Sequence, residues 1–171
     1  MRRVVLCLLI AQLAAMSYGG PAFAAHPPKG GGGGGSASAT GYDVSYPQCG
    51  GALPASPQFG IVGVNDGIVF QANPCLGTEY GWAAGPGKAS FYANTGDPYP
   101  TQSSHWPAGQ GSPMQCDGSD SSGCSYDYGW NAAADSFADA AGVAGSAATA
   151  AAWWLDIEAA NSWHTDASLN N

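Results

Sequence analysis

The sequence predicts an α/β fold built on a parallel sheet, and two observations carry that prediction. Short β-forming runs alternate with helical runs in the order strand, loop, strand, helix, strand, long loop, helix, strand. Alternating β and α units imply parallel strands joined by right-handed crossovers. In addition, acids stand at three of the strand ends: Asp43, Asp66, and the pair Asp156 and Glu158. They fall at the carboxyl edge, where open and closed α/β sheets alike bind ligands.

The chain of 171 residues opens on an export signal over 1–24. Met1-Arg2-Arg3 is a basic start, Val4 to Ala15 is an apolar run that contains Cys7, and Ala22-Phe23-Ala24 fits small-x-small cleavage. A Gly/Ser-rich linker over 25–40 follows, with Pro27-Pro28 and six successive glycines. Its composition is that of a flexible tether. It lacks the preceding strand and the G-K-[ST] of a phosphate loop.

The domain runs over 41–171. Gly41 to Tyr46 alternates as a first strand ending near Asp43, and Pro47 to Pro57 is turn-rich. Phe59 to Val64 reads as a second strand, closed by the turn signal Asn65-Asp66-Gly67. Ala72 to Trp82 reads as a helix with Asn73 as N-cap and Pro74 at its first position. Ala89 to Ala93 is a third strand, closed by Asn94-Thr95-Gly96. An irregular segment spans Asp97 to about Tyr126, and loops that long in compact domains are usually functional or disordered. Tyr128 to Thr149 is Ala-rich with helical spacing and a break expected at Gly142 or Gly145. Ala151 to Ile157 is the fourth strand, and 161–171 is polar.

Four cysteines follow the signal: Cys49, Cys75, Cys116 and Cys124. An even count in an exported chain reads as two disulfides. Three connectivities are open, and nearest-neighbour pairing favours Cys49–Cys75 with Cys116–Cys124. The stretch from Cys116 to Cys124 only faintly resembles a calcium loop and lacks its closing Glu, so it reads as a Gly/Ser hairpin tip. No cofactor and no metal are expected, because no C-x-x-C and no His at ligand spacing occur.

After cleavage two lysines, Lys29 and Lys88, remain against twelve acids, a formal charge of −10. Such a surface excludes nucleic acid and anionic membranes as partners, since both need clustered Lys and Arg. It also sits uneasily with anionic wall polymers. No second apolar run can span a bilayer, so the expected product is secreted, extracellular and free of the membrane. Six Trp and eight Tyr supply core packing or ring platforms for a ligand. Trp106, Trp130 and Trp163 are more commonly packing residues than sugar platforms, and His105 and His164 read as exposed loop histidines. No G-x-S-x-G elbow is present, which argues against an acyl-transfer hydrolase.

The stretch Trp153-Trp154-Leu155-Asp156-Ile157-Glu158 carries the chemistry. In an extended strand Asp156 and Glu158 share a face, roughly 6–7 Å apart at Cα. Two like charges so placed push one pKa up, giving one carboxyl held as acid and one as anion. That is the division of labour in a glycosidase. The bland alternative is a solvated strand end. Asp43 divides between an active-site role and turn capping before Pro47, and Asp66 before Gly67 reads as a turn residue more than a catalyst. Of the adjacent pair Trp153 and Trp154, one is expected on the helix layer and the other on the opposite face.

Four of these segments resemble the glycoside hydrolase family 25 lysozymes. Gly41-Tyr42-Asp43-Val44-Ser45 resembles that family's opening G-x-D-V-S, Phe59 to Gly67 its second strand, Ser90-Phe91-Tyr92-Ala93 its third, and Trp154-Leu155-Asp156-Ile157-Glu158 its W-L-D-V-E. The sequence is also similar to secreted actinobacterial proteins of family-25-like type. The resemblance implies a TIM-type (β/α)8 barrel that cleaves the N-acetylmuramic acid–N-acetylglucosamine bond of peptidoglycan. By motif position Glu158 is the general acid, Asp156 orients the acetamido group or stabilises charge, and Asp43 lies at the base of the site. Asp66, Tyr92 and Trp154 would contact substrate, a polysaccharide. The chain departs from the pattern at Asp66, where the family has Glu, at Gly63, where Lys is common, and at Tyr92, where His is common. The Asp97–Tyr126 loop has no obvious counterpart. A closed barrel takes about 200–250 residues, so the expectation is the N-terminal half of a barrel, about four β/α units, from a longer protein. The alternative function is a family-25-like surface or saccharide-binding protein without catalysis.

Overall fold

The computed structural model describes residues 39–87 and 89–170. The export signal, Cys7, linker residues 25–38, Lys29 and Lys88 lie outside the described residues.

Four strands form one parallel sheet in the order β1-β2-β3-β4: β1 Gly41–Val44, β2 Phe59–Gly63, β3 Ala89–Asn94 and β4 Trp153–Asp156. All three pairings are parallel, with Asp43 opposite Ile61, Gly63 opposite Tyr92, Tyr92 opposite Trp154 and Asn94 opposite Asp156. Each strand adds beside the last, so the order never reverses as it does in a doubly wound sheet. The α/β class with a parallel sheet is therefore as expected, and β1 and β4 are its edges.

The connections follow from local chemistry. A 3-10 turn, Tyr46–Gln48, follows β1. After β2 the chain makes a small hairpin in which Asn65 bridges Ala72 and the Asp66 amide donates to the Gln71 carbonyl at 3.0 Å. Gly67, at φ 84°, supplies the left-handed turn that Asn-Asp-Gly signalled. Helix α1, Leu76–Ala84, starts later than expected, with Cys75 rather than Asn73 at its N-cap. Asn73 is used otherwise. Its Oδ1 accepts from the Cys75 amide at 2.9 Å, and its Nδ2 donates to the Gly63 carbonyl at 2.8 Å and to Glu79 Oε2 at 2.6 Å. Its Oδ1 thus closes an Asx-type turn that leads into the helix, while its Nδ2 ties that turn to the sheet.

Helix α2, Ser122–Ala144, starts six residues before the expected Tyr128. Ser121 caps it, its side chain accepting from the Cys124 amide. The last three residues of the run that reads as a hairpin tip, Ser122 to Cys124, are thus the start of a helix, and Cys124 is bonded to Cys116. The break falls at Gly145, at φ 58°, before a short α3, Ala147–Ala150. Both disulfides take the nearest-neighbour pairing, Cys49–Cys75 and Cys116–Cys124.

One face of the sheet carries the core. Val44, Val62, Val64 and Phe91 pack with Leu76 and Ala83 of α1, Ala140 of α2 and Ala148 of α3. Trp153 joins this layer, 5.1 Å from the Phe91 ring and 6.0 Å from Phe137, and its Nε1 donates to the Ala148 carbonyl. The strand period of two sends Asp43, Ile61, Tyr92, Trp154 and Asp156 to the other face, where they line a hollow made of sheet residues alone.

Candidate functional site

The hollow on the open face, about 270 Å³, is lined by Asp43, Ile61, Tyr92, Trp154, Leu155 and Asp156. Parallel strands put their carboxyl ends at one edge, and register sets Tyr92 of β3 beside Trp154 of β4. The Tyr92 phenol lies across Gly63, where a Cβ would come within 2.8 Å of the hydroxyl oxygen. This explains why no long side chain stands at Gly63. Burial raises the Tyr92 pKa, a hydrogen bond with Ser45 opposes the rise, and the charges of Asp43, Asp156 and Glu79 add to it.

Burial also raises the Asp156 pKa, and the negative charges of Glu158 and Asp43 push it further, against a hydrogen bond with Asn94. Glu158 itself is exposed. The Asn94 Nδ2 donates to its Oε2 at 3.3 Å, and Trp163 Nε1 donates to its backbone carbonyl at 2.8 Å.

Asn94 is the residue that sequence reasoning missed. It is 5% exposed, and its peptide is clasped by Asn65, whose Oδ1 accepts from the Asn94 amide at 2.8 Å and whose Nδ2 donates to the Asn94 carbonyl at 3.2 Å. Asn161 Nδ2 donates to Asn94 Oδ1 at 2.8 Å, which turns the Asn94 NH2 toward Glu158. Two strand-closing turn signals, Asn65-Asp66-Gly67 and Asn94-Thr95-Gly96, thus supply the clamp that aims an amide at the carboxylate. Asp66, in the hairpin, does not line the hollow.

Three further acids, Glu79, Asp97 and Asp127, are buried where the sequence had no signal for it. Glu79, 1% exposed on α1, takes its one hydrogen bond from Asn73. Burial raises its pKa and that bond holds the rise back. Asp97, 4% exposed, starts the long loop, and neither of its oxygens has a well-formed hydrogen bond. Burial raises its pKa, His164 and then Ser125 oppose the rise, and Asp120 adds to it. His164, expected as an exposed loop residue, is 5% exposed with its Nε2 3.2 Å from Asp120 Oδ1. Tyr99 and Trp106 rings cover it. His105 remains exposed and stacks on Phe70 at 4.2 Å.

Among the described residues no group of three or more His, Cys, Asp or Glu side chains is spaced to hold a metal, and no helix is long and apolar enough to cross a membrane. No family model, no curated protein and no solved structure matches the chain.

Proposed function

We propose that the protein is a secreted glycoside hydrolase of lysozyme type, cleaving N-acetylmuramic acid–N-acetylglucosamine bonds of peptidoglycan at Asp156 and Glu158, with Asp43 at the base of the site. The carrying observation is geometric: Asp43 and Asp156 line one hollow on the open face of a parallel sheet, with Glu158 two residues beyond Asp156 and hydrogen-bonded to Asn94, and burial foremost raises the Asp156 pKa. The stepwise strand order supports the first half of a (β/α)8 barrel, whose active site would lie at that edge.

Motif position makes Glu158 the proton donor and Asp156 its electrostatic partner. In the resting site the raised pKa belongs to Asp156, while Glu158 accepts from Asn94. A glycan lying over the exposed Glu158 would exclude water from the acid pair. Asp156 would then carry the charge facing the sugar's anomeric carbon and acetamido group. Tyr92 and Trp154 offer ring surface to the saccharide.

The test is release of reducing ends from purified peptidoglycan. Glu158→Gln should lower the rate by about 10²–10⁴, the range for a lost general acid. Asp156→Asn should lower it too. Wild-type release that Glu158→Gln leaves intact would remove Glu158 from the chemistry.

A second reading, saccharide binding without hydrolysis, is favoured by the openness of the site. Trp154 is 55% exposed, and electrostatic catalysis works best where water is excluded. It predicts that wild type binds insoluble peptidoglycan without releasing reducing ends, and that Trp154→Ala weakens the binding.

A further inference from the structure

A second cleft opens beside the acid pair, on the loop side of the same edge. It has a volume of about 430 Å³, within the range of small-ligand sites. Three segments build it: the hairpin after β2, the long loop after β3, and the chain after β4. Asn94 and Asn161 form its inner wall, so the amide aimed at Glu158 belongs to both sites.

The lining chemistry differs from that of the acidic hollow. Amides of Gln71, Gln102, Asn94 and Asn161, the Ser104 hydroxyl and the ring of Tyr128 face one another, and no carboxylate, lysine or arginine of the described residues is among the lining. The side chains of Gln71 and Ser104 are exposed and make no hydrogen bond with the described residues, so donors and acceptors are free for a ligand. An anion would meet no lysine or arginine there, and a cation no carboxylate. A ligand rich in hydroxyl and amide groups would find partners for both. His105 supplies a flat wall. Phe70 backs it with ring planes 5° apart, and Tyr128 meets Phe70 edge-on at 5.3 Å. Phe70 holds φ at 66°, a left-handed backbone that a bulky residue adopts only when its surroundings impose it. Strain of that kind gathers at binding sites.

We infer that this cleft is a saccharide-holding site for an uncharged N-acetylated sugar unit, feeding the same chain past Asn94 to the acid pair. The saccharide class rests on the proposed function, whereas the uncharged, amide-pairing character rests on the lining alone.

The test is an NMR titration of the full chain with triacetylchitotriose, an uncharged N-acetylated trisaccharide, in the Glu158→Gln background so that no turnover intervenes. Shift changes are expected at the Gln71 side-chain amide, Asn161 and Tyr128. Ser104→Trp, which fills the cleft from an exposed position, should raise Kd at least about tenfold, and Gln71→Ala should raise it several-fold. The amide spectrum away from the cleft reports whether each variant is folded. Shift changes confined to Tyr92 and Trp154, or an unchanged Kd in both variants, would overturn the assignment. So would a stem peptide that binds where the trisaccharide does not. The two ideas fail separately. Cleft binding without hydrolysis by wild type sinks the enzyme reading and leaves the cleft standing. Hydrolysis with a KM that Ser104→Trp does not change sinks the cleft alone.

Discussion

Asn94 is the residue on which the site turns. It is buried, held through its own peptide by Asn65 and through its Oδ1 by Asn161, and its remaining NH2 points at Glu158. Asn94→Ala removes that donor and leaves Asn161 with the Thr95 carbonyl alone as acceptor. It should lower both hydrolysis and melting temperature, whereas Asn94→Asp should keep the Asn161 bond and set a negative charge against Glu158. Comparing the pH profiles of the two separates positioning from packing: a shifted acid limb in Asn94→Asp is the expected mark of the charge. Asp156 gives a second test. Its pKa is raised in the fold, so the folded chain binds that proton more tightly than the unfolded chain does. The effect favours folding at low pH and fades as pH climbs through the folded pKa. Asp156→Asn should therefore melt higher than wild type at pH 7 and equal to it near pH 3, read as Tm against pH. An unchanged difference across that range would mean that neither burial nor the charges of Glu158 and Asp43 raise the Asp156 pKa.

At the scale of elements, α1 is set by what precedes it. Cys75 is tied to Cys49 and Asn73 to Gly63, so the first turn is anchored to the β1–β2 connection and to β2. In the chain-entropy account, closing a loop of 26 residues contributes about 3.5 kcal/mol and a loop of 8 about 2.5 kcal/mol. Replacing Cys49 and Cys75 together by Ala should thus cost more stability in urea denaturation than replacing Cys116 and Cys124. Glu79 sits inside this anchorage with a raised pKa. Glu79→Gln keeps an acceptor for Asn73 and removes the buried charge, so it should stabilise at neutral pH and lose the advantage as pH falls below the ordinary glutamate range. The long loop is organised in the same manner, by a buried side chain. Asp97 and Asp120 face His164, and the Asp97 amide donates to the Ser162 carbonyl at 2.8 Å, linking the loop to the chain after β4. That link holds Asn161 in reach of Asn94.

For the whole molecule, the sheet has one covered face and one open face. Its β4 edge shows Leu155 at 70% and Ile157 at 71% exposure, beside the half-exposed ring of Trp154. An exposed apolar edge strand is a template for pairing with another chain. We expect concentration-dependent self-association in light scattering, reduced in the double variant Leu155→Lys, Ile157→Lys. A monomer at all concentrations would show that the edge is guarded by something other than charge. The net charge of the chain is −8, which disfavours association with other polyanions through long-range repulsion.

The strands, their parallel sense and the nearest-neighbour disulfides were legible in the sequence because each rests on local signals: alternation of β and α runs, turn residues and short loop closure. The placement of Asp43, Asp156, Tyr92 and Trp154 on one face was legible too, since the strand period of two dictates it. The helix starts were not, because Asn73 and the Ser/Gly run before Cys124 answer to partners distant in sequence. Nor were the burial of Glu79, Asp97 and His164, the clamp on Asn94, or the uncharged cleft. A turn signal such as Asn94-Thr95-Gly96 says where a strand stops, while the partner that its side chain meets, 64 residues further along at Glu158, is decided by tertiary packing alone.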